Sequence, residues 1–131
     1  MNDDLRWLAW SVVLTWGMLL AASLYRAAAW TPGGLKLALG NRENMPPPSA
    51  MAGRADRAAR NMMEALLLFA PLLLAAHLAG KADARVLLGA QLFFWGRLAY
   101  APIYWAGIPY LRTVAWVVAL WGTVLVGSVL L

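Results

Sequence analysis

The chain has 131 residues, 63% of them hydrophobic and only 13% charged, with eight tryptophans and a net charge of +5. That apolar share exceeds the half or so of a soluble domain, and the basic residues lie between apolar spans instead of forming one face, which excludes a nucleic-acid-binding surface. With no cysteine, disulfides, thiolate metal sites and a cysteine nucleophile are excluded as well.

Four apolar segments follow in order, each near the ~20 residues that cross a bilayer core as a helix. The expectation is an all-α integral membrane protein, a four-transmembrane-helix bundle forming a single domain over 1–131. The first helix is expected over about 5–30. Its acidic start, "MNDDLR", and its length argue against a cleaved signal peptide. Asp3 and Asp4 read as solvated end charges, as does Asp83 further on. Trp7 and Trp30 fall near helix ends with Trp105, as in an interfacial belt, whereas Trp16 and Trp121 lie deeper and are expected to pack.

The loop over about 31–53, "TPGGLKLALGNRENMPPPSAMAG", is the one long polar interruption. Its glycines and the Pro46-Pro47-Pro48 run oppose a continuous helix, and the triple proline should be extended and stiff. Lys36, Arg42 and Arg54, with Arg57 and Arg60 just beyond, outnumber Lys81 and Arg85 of the next connection. The positive-inside rule therefore puts this loop in the cytoplasm and both termini on the other side. Compact loops and the lack of a targeting segment suggest a bacterial inner membrane.

The second helix is expected over about 54–80. Advancing about 100° per residue, Arg54, Arg57, Asn61 and Glu64 fall within an arc of roughly 80°, with Arg60 some 40° outside it. An isolated charge at membrane depth costs at least ~2.5 kcal/mol, so Glu64 must face protein or a wet cavity. Met62 and Met63 read as packing residues, and His77 lies far along, toward the opposite membrane face. The third helix, about 84–107, sets Arg97, Tyr100 and Tyr104 at i, i+3 and i+7 on one face. Pro71 and Pro102 should kink their helices. The fourth, about 109–131, opens with Pro109 in its first turn, then Arg112 and Thr113. Short links make the second, third and fourth helices antiparallel neighbours, so both polar groups lie at one depth on the loop side, with Arg26 of the first helix.

Arginines, an amide, a carboxylate and two phenols suit a small zwitterion with more than one carboxylate, since guanidinium forks bind carboxylates and Glu64 can pair with an ammonium. The plainer reading is structural: Arg57 with Glu64, or Arg97 with Glu64, as ion pairs that fix helix packing, and basic helix ends that meet anionic lipid headgroups. One histidine and scattered acids form no metal-ligand cluster. A proton-coupled exporter is disfavoured because Glu64, near the loop end, is the only acid within a span.

The string "GRADRAARNMME" resembles the second-helix signature of the MAPEG family, the membrane-associated proteins in eicosanoid and glutathione metabolism, through Arg54, Arg57, Ala58, Asn61 and Glu64. "RLAYAPIY" is similar to that family's third-helix pattern, with Tyr100 where some members carry histidine. "IPYLRTVAW" is similar to its turn into the fourth helix, with Thr113 where some members carry serine. The resemblance, closest to the microsomal-glutathione-transferase-like members, implies a homotrimer with glutathione bound between protomers as co-substrate. It implies that Arg26, Arg57, Arg60, Asn61, Glu64, Arg97, Tyr100 and Tyr104 hold glutathione, that Arg112 sits beside its sulfur, and that Thr113 donates to the thiolate. A guanidinium there favours the thiolate, and a lipophilic electrophile or hydroperoxide would arrive from the membrane lipids. The implied activity is a glutathione transferase or peroxidase; the alternative is a non-catalytic subunit or scaffold that binds a lipid or a protein partner.

Overall fold

The computed structural model describes residues 2–131 and contains five helices: α1 (Asp3–Ala27), α2 (Pro32–Leu39), α3 (Ala50–Leu78), α4 (Ala84–Trp105) and α5 (Pro109–Ser128). All but α2 are long and apolar enough to span a membrane. The central pair is α3 and α4, which touch each other and both flanking helices; α1 packs mainly on α3, and α5 mainly on α4.

The helix ends follow local chemistry. Ala28 adopts a left-handed backbone (φ 51°), and its N–H caps the carbonyls of Leu24 and Tyr25, ending α1 three residues short of Trp30. Thr31 then caps α2 by accepting from the Gly34 N–H, and Pro32 occupies the first turn, where its missing N–H is harmless. Gly34 lies against the backbone carbonyls of Ala27 and Ala28, leaving no room for a Cβ. This eight-residue helix within the expected loop was not anticipated. Ser49, directly after the three prolines, caps α3 through the Ala52 N–H, so α3 starts at Ala50, four residues before the expected position. Its 29 residues span about 43 Å at 1.5 Å per residue, longer than a bilayer core of about 30 Å. Both α3 and α4 run through Pro71 and Pro102 without interruption.

Stacked Phe69 and Phe93, 3.9 Å between ring centres, fill the middle of the bundle with Met18, Met62 and small alanines. Ser11 and Thr15 on α1 are buried but self-satisfied, donating to the carbonyls of Trp7 and Ser11 one turn back. Trp16 and Trp121, expected to pack, instead face outward at 66% and 57% exposure; in lipid an indole is stable on either face, so hydrophobicity does not orient it. Asp4, expected to be solvated, is buried and bonds His77 Nδ1 at 3.0 Å, tying the start of α1 to the end of α3. Asp83 serves as the N-cap of α4, accepting from the N–H groups of Arg85 and Val86.

The α4–α5 seam depends on glycine. A Cβ added at Gly89 would lie 2.6 Å from the Gly122 carbonyl oxygen and 2.8 Å from a methyl of Val126. Small residues permit this close backbone approach between membrane helices. Gly89→Val is expected to cost about 3 kcal/mol, the upper part of the overpacking range because backbone must yield, and to lower the unfolding midpoint in detergent by on the order of 10 °C. Leu88→Val, on the exposed side of the same turn, should stay near wild type. Circular dichroism during heating distinguishes the two.

Candidate functional site

The polar groups of α3 and α4 meet on the loop side of the bundle. Arg97 is wholly buried, its Nη1 donating to Asn61 Oδ1 at 2.9 Å and its Nε to the Met62 sulfur at 3.2 Å. Its guanidinium carbon lies 4.1 Å from the centre of the Tyr100 ring, a cation–π contact. The rings of Tyr100 and Tyr104 lie 5.4 Å apart. The Tyr104 hydroxyl accepts from Arg57 Nε at 3.2 Å, and Arg112 of α5 stands 4.6 Å over the Tyr104 ring. Arg57, Asn61, Arg97, Tyr100, Tyr104 and Arg112 thus form one contiguous array, contributed by three helices.

Glu64 and Asn61 border a cavity of about 180 Å³ that continues past Arg97 and Phe93 toward Trp116 and Thr123. Glu64 itself is exposed on the outside of the protomer. Among the described residues it makes no ion pair, and Arg57, Arg97 and Arg112 have no carboxylate within ion-pair distance. The structural pairs expected from spacing, Arg57 or Arg97 with Glu64, are therefore not formed among the described residues. Nη2 of Arg97 is buried without a hydrogen-bond partner among the described residues. Such groups are uncommon in native interiors.

Two expected members lie elsewhere. Arg60, rotated off the seam, pairs with Asp56 at 3.2 Å. Together with Arg26, Ser23 and Arg42 these residues border a separate hollow on the α1–α3 flank, which shares no lining residue with the Asn61–Glu64 cavity. Arg54, on the predicted polar face, instead donates to the Trp105 carbonyl at 2.8 Å and anchors the end of α4. Thr113 is exposed, and its hydroxyl donates to the Pro109 carbonyl at 3.2 Å. Two features escaped sequence reasoning: Met62, whose sulfur accepts from Arg97, and Arg42, which folds back from the loop. The i+1 position of Met62 next to Asn61 was the only signal for the first; for the second there was none in the local pattern.

Chemically, the array offers guanidinium forks, one amide, two phenol rings and a carboxylate unpaired among the described residues. It can bind a compact zwitterion and hold a cation beside a reacting anion. A family model, that of the MAPEG family, matches residues 5–131. No curated protein and no solved structure matches the chain.

Proposed function

Because the chain belongs to the MAPEG family, we propose that it is a glutathione-dependent membrane transferase or peroxidase acting on lipophilic electrophiles or hydroperoxides. Family membership and four spanning helices make it an integral membrane protein related to glutathione and eicosanoid metabolism; the activity is our reading. The observation that carries it is the open electrostatic balance of the array: three arginines without a carboxylate, and Glu64 without a cation. A structural network would close on itself around Arg97, which is wholly buried, because an uncompensated buried charge costs several kcal/mol. Glutathione brings the missing complement, two carboxylates and one ammonium.

In this reading Arg57 and Arg97 bind carboxylate, Asn61 adds an amide, and Glu64 takes the ammonium. Tyr100 and Tyr104 provide ring faces and a hydroxyl. Arg112, at the head of α5, stabilises the thiolate over the thiol; Thr113 would have to release its Pro109 contact to donate to that sulfur. Arg26 and Arg60 stand on the opposite flank, so they reach the same ligand only from a second copy. A closed ring of three, in which one flank meets a different flank of the next protomer, satisfies that requirement and covers the exposed Glu64. The first loop is cytoplasmic in this proposal, from the excess of lysine and arginine on that side, and the host a bacterial inner membrane.

The test is a titration of glutathione into detergent-purified protein at neutral pH, followed by thiolate absorbance in the ultraviolet. A saturable rise is expected. A flat response would transfer the lead to a scaffold that binds lipid or protein, a reading favoured by the commitment of the Thr113 hydroxyl to Pro109.

A further inference from the structure

The α1–α3 flank carries more positive charge than its structural needs explain. Its hollow, about 550 Å³, brings together Arg26, Arg42 and Arg60 above an apolar floor of Leu19, Ala22 and Met63. The one acid along it, Asp56, is engaged with Arg60. Three guanidiniums against one carboxylate leave an excess of two positive charges. Nη1 of Arg26 is buried without a hydrogen-bond partner among the described residues.

Arg42 reaches the hollow through a backbone that side-chain-bearing residues rarely adopt, φ 58°. From that position its side chain folds back onto the membrane helices. Nε donates to the Ala38 carbonyl at 3.2 Å, and Nη2 to the Ser23 hydroxyl of α1 at 2.8 Å. Held at two points, the guanidinium has little rotamer freedom left to lose on binding, and its Nη1 makes no hydrogen bond among the described residues. A fixed fork with a free edge beside two further arginines matches a planar carboxylate better than a flexible lysine would.

We infer that Arg42 is a carboxylate-reading residue of the glutathione site, presented with Arg26 and Arg60 by one protomer to the ligand held on the Asn61–Arg97 array of its neighbour. The inference rests on the glutathione reading above. It assigns the loop a role in specificity: α2 and the residues after it position one guanidinium for one of the tripeptide's two carboxylates. A phospholipid phosphate has the same anion chemistry, and the experiment separates the two sources.

Calorimetry on the purified protein compares three ligands: glutathione, its glycyl monoethyl ester, and 4-aminobutanoyl-cysteinyl-glycine, which lacks the other carboxylate. Wild type should bind each analogue about tenfold more weakly than glutathione, as expected for one charge-assisted contact. Arg42→Gln, whose amide nitrogen falls where Nε stands and can keep the hydrogen bond to the Ala38 carbonyl, should bind glutathione about tenfold more weakly and should no longer distinguish it from one of the analogues. Arg42→Lys, retaining charge without the fork, should fall between, and serves if the glutamine variant does not fold. A variant that discriminates against both analogues as wild type does overturns the inference while leaving the glutathione reading intact. Failure of wild type to bind glutathione overturns both. Repeating the titrations in nanodiscs with phosphatidylglycerol should leave the effect of Arg42→Gln unchanged; its disappearance there would assign the hollow to lipid phosphate and overturn the inference.

Discussion

Arg112→Ala is expected to lower kcat/KM by about 10²–10³-fold without disturbing the fold, because the side chain rests on the ring face of Tyr104. The magnitude decides what Arg112 does. An unperturbed thiol titrates near 8.5, so about 3% of it is thiolate at pH 7. A guanidinium at about 4 Å in an effective dielectric near 20 contributes about 4 kcal/mol to the thiolate. Discounted for the partial exposure of Arg112, a lowering of about two pKa units is reasonable, making most of the bound thiol anionic. That is about a 25-fold gain in nucleophile. It is largely offset, because a thiolate of lower pKa attacks more slowly, by about eightfold over two units.

Thiolate formation alone thus accounts for about threefold. The rest of a large loss must come from stabilising the negative charge that develops on the departing oxygen of an epoxide or peroxide, where losing one well-placed donor costs 10²–10³-fold. The pH profile separates the two contributions. Wild type should be half-maximal at about pH 6.5 and nearly flat above about pH 7.5, whereas Arg112→Ala should be half-maximal at about pH 8.5 and climb until about pH 9.5, since deprotonation no longer has help from the protein. Raising the pH recovers the thiolate part and leaves the deficit in charge stabilisation. A variant with the wild-type rate and the wild-type profile would remove Arg112 from the chemistry.

Much of this arrangement was legible in the sequence, for identifiable reasons. Length and hydropathy mark the four spans because the bilayer sets one length scale for all of them. The face shared by Arg57, Asn61 and Glu64 follows from the 100° step, since a helix lacks the freedom to separate i, i+4 and i+7. Other features depend on tertiary geometry that periodicity does not encode. Arg60 lies about 40° outside the polar arc, and it pairs with Asp56 one turn earlier on the same helix. Arg42 reaches the α1–α3 hollow from a loop in which it is itself left-handed. The helix α2 is too short for a periodic signal, although Thr31 and Pro32 form a recognisable start. The Asp4–His77 bond joins residues 73 apart in sequence. Outward-facing Trp16 and Trp121 show a further limit: with lipid outside and protein inside, both surroundings are apolar, and the inside-out contrast that orients a soluble helix is lost.

Arg97 provides the sharpest separation of a structural from a binding role, through Arg97→Met. Its guanidinium is fully enclosed, yet its partners are an amide oxygen, a thioether and a ring face. None of these carries the negative charge that would repay the desolvation of a cation. Replacing buried charge with apolar volume is often neutral or stabilising by about 1–4 kcal/mol. If the residue serves packing, the methionine variant should unfold earlier, because three contacts vanish. If it serves a ligand, the unliganded variant should unfold at the wild-type temperature or several degrees above it. Saturating glutathione should then raise the midpoint of wild type, as any ligand of the folded state does, and leave that of Arg97→Met unchanged. Thermal unfolding with and without glutathione gives all four midpoints in one experiment. We expect the unliganded variant to be at least as stable and unresponsive to glutathione; a destabilised variant that still responds would return Arg97 to the structural role. The first outcome also explains why the chain tolerates a buried Nη2 that has no hydrogen-bond partner among the described residues: a site whose charge is completed only by its ligand is less stable empty than it could be, and the instability is released as binding free energy when the anion arrives.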